Sequence, residues 1–319
     1  MLLPEIRDER AWVRDSISPA DRLVPLSDAC LAEVDEVVRR LRQDPLPTVL
    51  LEPAQFSLPA CAETLALVGR KLHEGIGLAV LDRLPVERFT TEESRAVYWL
   101  LGSLLGRAVA QKWDGTMIYD VRDTGRGLEY GVRRSVTNLQ LQFHTDGAWL
   151  SMPAELVGLC CLSPAREGGV SRFVSLYTVH NELRRRHPRL LERLYRLFPW
   201  DRQAEHPEGE EKLSRRPVFQ YDGRRLLARY YEGLIQNGLE LSGDSLDAQG
   251  REALAAMREI VESPALWVEF VIERGQIQYL NNHQFAHSRT EFLDASEPHL
   301  KRHMIRLWHR EEGRRTFHG

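Results

Sequence analysis

Leu139-Gln140-Leu141-Gln142-Phe143-His144-Thr145-Asp146-Gly147 is the stretch that decides the fold. Apolar residues alternate along it, as on a half-buried strand, and the alternation ends in a His and an Asp two positions apart. On extended backbone, side chains at i and i+2 share a face. His144 and Asp146 therefore offer an imidazole nitrogen and a carboxylate oxygen to one point. That is two-thirds of a 2-His-1-carboxylate set, the arrangement that binds non-haem Fe(II) and leaves coordination positions open.

The third ligand must come from far along the chain. Asn281-Asn282-His283-Gln284-Phe285-Ala286-His287-Ser288-Arg289-Thr290 supplies His287, with His283 as its competitor. Fifteen residues beyond His287 lies Arg302, in Lys301-Arg302-His303-Met304-Ile305-Arg306-Leu307-Trp308. Arg302 and Arg306 share a face if this segment is a strand. A guanidinium there suits a carboxylate, which it grips in bidentate fashion. An open iron site beside a fixed Arg is what a 2-oxo acid needs, since its 2-oxo group and C1 carboxylate chelate metal while the far carboxylate pairs with Arg. Ser171, just after the Gly168-Gly169 turn, adds a hydroxyl to that carboxylate.

Outward from this centre, helical spacing predicts helices from Ser27 to about Leu41, after Pro59, from Thr90 to Leu105, over 176–197 and over 245–263. Strands are expected near 75–81, 108–112, 116–122, 138–143, 155–162, 170–175, 217–222, 225–231, 266–273, 276–281 and 303–309. Residues 1–27 read as an irregular lead-in, and the acidic stretch 199–216 as an exposed excursion. Together these imply an α+β chain, a double-stranded β-helix (jelly-roll) core with flanking helices. No linker divides it. Residues 1–319 are expected to form a single oxygenase domain, with a helical N-terminal extension over 1–74, the core over 75–310, and lids near 123–138 and 199–216.

With 43 Lys and Arg against 46 Asp and Glu, the net charge of −3 gives no basic surface for nucleic acid. No apolar run is long enough to span a membrane, and the acidic start does not read as a signal peptide. Cys30, Cys61, Cys160 and Cys161 lack CxxC spacing and read as packing thiols of a cytoplasmic protein. A small-molecule substrate is expected, with no nucleic-acid or membrane partner. A homo-oligomer is left open. His180, His187 and His206 read as surface or helix-end residues, Asp123 and Glu129 as solvated loop charges, and Trp113, Trp149 and Trp308 as packing, with Trp149 near enough to line a pocket.

The set His144-Thr145-Asp146, Gly168-Gly169-Val170-Ser171, Asn281 through Phe292 and Arg302 through Trp308 resembles the Fe(II)/2-oxoglutarate-dependent dioxygenases of the taurine dioxygenase and clavaminate synthase superfamily. The resemblance runs from about Gly75 to His309. It implies Fe(II), 2-oxoglutarate and O2 as cofactor and co-substrates, with His144, Asp146 and His287 as metal ligands. It also implies that Arg302 and Ser171 hold 2-oxoglutarate, with Arg306 beside the co-substrate or the primary substrate. Arg229-Tyr230 resembles a strand segment of that family. The implied reaction is hydroxylation of an unactivated C–H bond with release of succinate and CO2. Desaturation, cyclisation and epoxidation use the same centre. Asp146, in place of Gly or Ala, argues against a halogenase. A Zn-dependent hydrolase at the same three residues and a non-catalytic ligand-binding jelly roll are the alternatives. Arg133, Arg134, Arg229 and Arg306 hint at an anionic substrate.

Overall fold

The computed structural model describes residues 3–127 and 131–319 and mixes helices with strands. Glu129 lies outside the described residues. Two sheets frame the site. The larger runs, in spatial order, Leu23–Pro25, Leu78–Asp82, Ile277–Asn281, Leu156–Ser163, His303–His309 and Ala108–Val109, and Tyr119–Val121 also pairs with His303–His309. The smaller runs Trp267–Phe270, Ser171–Ser175, Phe285–Arg289 and Leu141–His144.

The first strand corrects the reading of residues 1–27 as irregular and adds a strand to the helical extension expected over 1–74. Leu23–Pro25 pairs in parallel with Val80–Asp82, and Val24 is buried. Three residues are too few for a periodic signal, so tertiary pairing decides the conformation.

The expected N-terminal helices are present. Asp28–Gln43 is capped by Ser27, whose hydroxyl accepts from the Cys30 amide at 3.2 Å. Thr91–Leu105 starts from the Thr90–Glu93 capping box. With Pro59–His73 they cover one face of the larger sheet, where Val34, Val37, Leu65 and Leu72 pack in one cluster with Leu81, Cys160, Tyr279, Ile305 and Leu307. Period-2 alternation then turns Met304, Arg306 and Trp308 to the opposite face. All four cysteines are free and buried, and the Cys30 and Cys61 sulfurs face each other at 2.8 Å where two helices start.

The single helix expected over 176–197 is broken. Leu176–Arg186 and Pro188–Leu194 are separate, because Pro188 has no N–H to continue the ladder. Leu197–Asp201 then forms a hairpin with Leu213–Pro217, so the supposed excursion is ordered and carries buried Trp200, Asp201 and Glu205. Helix Glu232–Ser242 was not foreseen; its three glycine and serine positions weaken the helical signal, and burial of Leu234 and Ile235 stabilises it.

One turn sets the register beside the site. Gly168 has φ +73°, and a Cβ there would lie 2.3 Å from the Glu291 carbonyl oxygen. The close approach lets Glu167–Gly168 pair with Phe292–Leu293 and feeds the chain into Ser171–Ser175. Gly168→Ala should therefore lower the unfolding free energy by about 1–3 kcal/mol. The denaturant midpoint is the measurement; an unchanged midpoint would show that the turn relaxes without loss.

Candidate metal centre

His144 and His287 sit directly opposite each other in the antiparallel ladder between Leu141–His144 and Phe285–Arg289. Opposite positions bring side chains together, and the two ring centroids are 4.2 Å apart. A register shift follows at once, since Arg289 pairs with Leu141. Such a bulge re-aims the strand that carries it.

The strand stops at His144, so Asp146 does not share a strand face with it, as the i, i+2 argument supposed. Asp146 opens a turn instead. Three clamps hold that turn. The Asn282 side-chain amide accepts from the Asp146 amide at 2.8 Å and donates to the Asp146 carbonyl at 2.9 Å. Thr145 and Tyr230 exchange hydrogen bonds, at 2.7 and 3.1 Å. Gly147, at φ +64°, takes the left-handed bend that a side chain would resist.

The three candidate ligand atoms lie within 4.8 Å of one another. Asp146 Oδ1 is 3.3 Å from His144 Nε2 and 3.9 Å from His287 Nε2. A first-row metal about 2.1 Å from each donor would want them roughly 3 Å apart. The other carboxylate oxygen is engaged: Trp308 Nε1 donates to Asp146 Oδ2 at 2.7 Å, and Arg306 Nη1 lies 3.0 Å from it. His144 Nδ1 donates to the Gln142 carbonyl at 2.9 Å, which leaves Nε2 bare toward the centre. Burial alone would raise the Asp146 carboxyl, but Arg306 and the two imidazoles outweigh it and hold it below the ordinary carboxylate range. Burial, reinforced by His144, pushes His287 down to about 3, so its ring is neutral and ready to bind metal at physiological pH. Two bare imidazole nitrogens and one carboxylate oxygen fit Fe(II) as a donor set.

His283 is elsewhere: its Nε2 faces the Pro153 carbonyl at 3.3 Å, beside a different cavity. Arg306 pairs with Asp146 through Nη1 and with Gln111 Oε1 through Nε at 2.7 Å, while its buried Nη2 has no partner. Arg229 braces the turn from behind by donating to the Leu150 and Ser151 carbonyls. Buried His180 hydrogen-bonds Tyr195 and is not a surface residue. Trp308, read as packing, touches the candidate carboxylate.

Arg302 is buried, with Nη1 unpartnered, its guanidinium over Phe292 and Nε close behind Gly169. Arg289 is a further candidate that sequence reasoning does not single out. It too is buried, stacks on Phe292 and leaves Nη1 unpartnered, while Nη2 donates to the Thr137 and Leu139 carbonyls. Arg302 pushes Arg289 further down after burial has done so, a sign of like charges close together. Buried Ser171 is the ladder partner of Arg289. Two buried guanidiniums without an ion-pair partner among the described residues call for an anion. The signal for Arg289 was its place two residues after His287, on the same strand face.

Beside the triad lies a cavity of about 40 Å³, lined by Arg133, Ser135, Trp149, Arg306 and others, and it shares Arg134, Gln203 and Tyr231 with an outer chamber of about 520 Å³. Both expected lids reach it. Arg133 of the first meets Glu205 of the second at 2.7 Å, in a nearly dry ion pair. Burial, the largest effect on Arg133, lowers its pKa, and Glu205 opposes that.

Solved structures similar in shape include an asparagine oxygenase in complex with Fe(II), 3-hydroxyasparagine and succinate (TM-score 0.67, 18% identity, 90% of this chain and 93% of that one). Another is the non-heme iron oxygenase OrfP with Fe and alpha-ketoglutaric acid (TM-score 0.67, 15% identity, 91% and 94%). Among curated sequences the chain is similar to FR-33289 synthase of Streptomyces rubellomurinus, 28% identical over 99% of this chain and 94% of the relative. It is also similar to taurine hydroxylase-like protein SAT17 of Stachybotrys chartarum, 29% identical over 96% and 80%. The profile of the Taurine catabolism dioxygenase TauD, TfdA family matches residues 42–308, a span that holds both candidate histidines, Asp146 and both arginines of the last strand region. The chain belongs to that family of Fe(II)/2-oxoglutarate-dependent dioxygenases.

Proposed function

We propose that His144, Asp146 and His287 hold the iron, and that Arg302, Arg289 and Ser171 hold the C5 carboxylate of 2-oxoglutarate. The observation that carries this is the division of labour at Asp146: Oδ2 is engaged by Trp308 and Arg306, and Oδ1 faces two bare imidazole nitrogens. Bound iron with 2-oxoglutarate supplies O2 activation, releasing succinate and CO2 as the substrate is oxidised. The chain's own residues position and shield. Arg306 and Trp308 fix one carboxylate rotamer. Arg289 stands two residues from His287, about 7 Å along extended backbone, a separation of the order of a five-carbon diacid's length. The lids meet through Arg133 and Glu205 and exclude water from the reacting bond.

On this reading the two sheets are the halves of a jelly roll, residues 1–319 form one oxygenase domain, and the protein works in the cytoplasm. The substrate is a small amino-acid-like or carboxylated molecule and the default outcome is hydroxylation. Relatives whose structures hold hydroxylated amino acids support that outcome.

Three results are expected. Protein given Fe(II), 2-oxoglutarate, O2 and its substrate should form succinate, and His144→Ala should abolish it; full succinate formation by that variant defeats the metal assignment. Trp308→Phe should weaken Fe(II) binding by about 10-fold in a chelator competition, because the Asp146 carboxylate loses one of its two anchors and keeps only Arg306. Arg302→Gln and Arg289→Gln should each raise the KM for 2-oxoglutarate by about tenfold or more, with kcat changed far less. Calorimetry of 2-oxoglutarate binding to each variant checks the same point without turnover.

A further inference from the structure

Past the last strand the chain turns polar. Residues 311–319 read Glu-Glu-Gly-Arg-Arg-Thr-Phe-His-Gly, and the one large apolar side chain among them, Phe317, is also the one that is buried. A stretch of this composition buries too little apolar surface to hold itself in place. It is nevertheless tied down along its length. Arg310 Nη1 donates to the Met152 carbonyl at 2.6 Å, and Nη2 donates to the Arg314 and Thr316 carbonyls, both at 2.7 Å. Arg107 Nη2 donates to the Gly313 carbonyl at 2.8 Å, and Ser151 Oγ to the His318 carbonyl at 3.0 Å. The Ala110 amide donates to the Arg315 carbonyl at 2.9 Å. Arg310 is itself buried, so a guanidinium taken from water closes residues 310–316 into a loop.

What these ties deliver is the ring of Phe317. It lies nearly parallel to the indole of Trp308, with centroids 6.2 Å apart and planes 12° apart, an offset stack. Trp308 is the residue whose Nε1 donates to Asp146 Oδ2 at 2.7 Å. The far edge of the same indole reaches the turn that carries Asp146, since a Cβ on Gly147 would lie 3.3 Å from Trp308 Cη2. A single N–H···O bond fixes one atom of the indole and leaves the ring free to pivot about the bond. A flat neighbour removes that freedom.

Building on the oxygenase reading, we propose that Phe317 is a positioning residue for the metal centre. Its ring sets the plane of the Trp308 indole, so that Nε1 keeps hold of Asp146 Oδ2 and Oδ1 stays turned to His144 and His287. Phe317 lies beyond residues 42–308, the span that the family profile matches. It touches none of the three candidate ligands and acts through one hydrogen bond. Its effect on the centre must therefore vanish once that bond is gone.

The first measurement needs neither metal nor turnover. In the full chain with isotope-labelled tryptophan, the Trp308 indole N–H is assigned by its loss in Trp308→Phe, and its hydrogen exchange is followed by NMR. Phe317→Leu keeps an apolar side chain and removes the flat face. It should speed exchange at Trp308 by about tenfold or more, while the indoles of Trp12, Trp99 and Trp200 keep their rates within about twofold. Those three donate to carbonyls at 2.9 Å elsewhere in the fold and report on general loosening. Fe(II) affinity in a chelator competition should fall by about three- to tenfold. In a Trp308→Phe background, Phe317→Leu should change that affinity by less than about twofold. Arg310→Gln loosens the loop without altering either ring; it should reproduce the pattern more weakly, and it takes over the test if Phe317→Leu does not fold. Four indoles speeding together, unchanged exchange at Trp308, or faster exchange with unaltered Fe(II) affinity each overturn the proposal. So does an equal Fe(II) loss with and without Trp308, which would make Phe317 general packing. If the unmodified protein binds no Fe(II), the metal assignment fails instead, and exchange at Trp308 still decides whether Phe317 sets the indole.

Discussion

The structure depends on one buried carboxylate. Asp146 is 4% exposed, and an ionised group so placed is tolerated only when its charge is met on every side. Arg306 and Trp308 meet it from the larger sheet, and the two histidines approach from the smaller one. Each partner is itself placed by something else: Arg306 by Gln111, His144 by the Gln142 carbonyl, the Asp146 backbone by Asn282. The centre is therefore a junction between the sheets rather than a feature of one loop.

The alternating run into His144 was readable because period-2 patterning and residue chemistry coincide there. The fold also sets His287 rather than His283 opposite His144 and buries Arg302 and Ser171, placements that follow the order along the chain. The strand after Gly168-Gly169 and the capped N-terminal helices followed from local turn and cap chemistry. What stayed hidden was whatever tertiary contact decides. Asp146 reaches its position by a clamped turn, which sequence spacing mimicked as a strand face. Arg306 looked like a hand for a ligand, and its hold on the neighbouring Asp146 carboxylate was not visible. Trp308 looked like filling and is a hydrogen-bond donor. Glu205 sat in a stretch whose composition says solvent, yet its partner lies 72 residues earlier and only the folded chain brings Arg133 to it.

Polarity is graded through the site. Toward Arg302 and Arg289 the surroundings are cationic and aromatic, with Phe292 beneath both guanidiniums. At the centre the donors are two imidazoles and one carboxylate. Toward the lids cations return, but paired, and the outer chamber is lined by amides with Asp201 and Glu240 at its margin. Under the proposed assignment, charge and volume would sort a dicarboxylate and a differently shaped second molecule to opposite sides of the centre.

The clamps on the Asp146 turn also say something about how the chain matures. Asn282 and Trp308 reach Asp146 across 136 and 162 residues. Contacts so remote in sequence form late, after most chain entropy has been lost. An emerging chain consequently has no competent pocket until its final strand has left the ribosome and docked. Metal uptake through all three residues would mark the completion of folding.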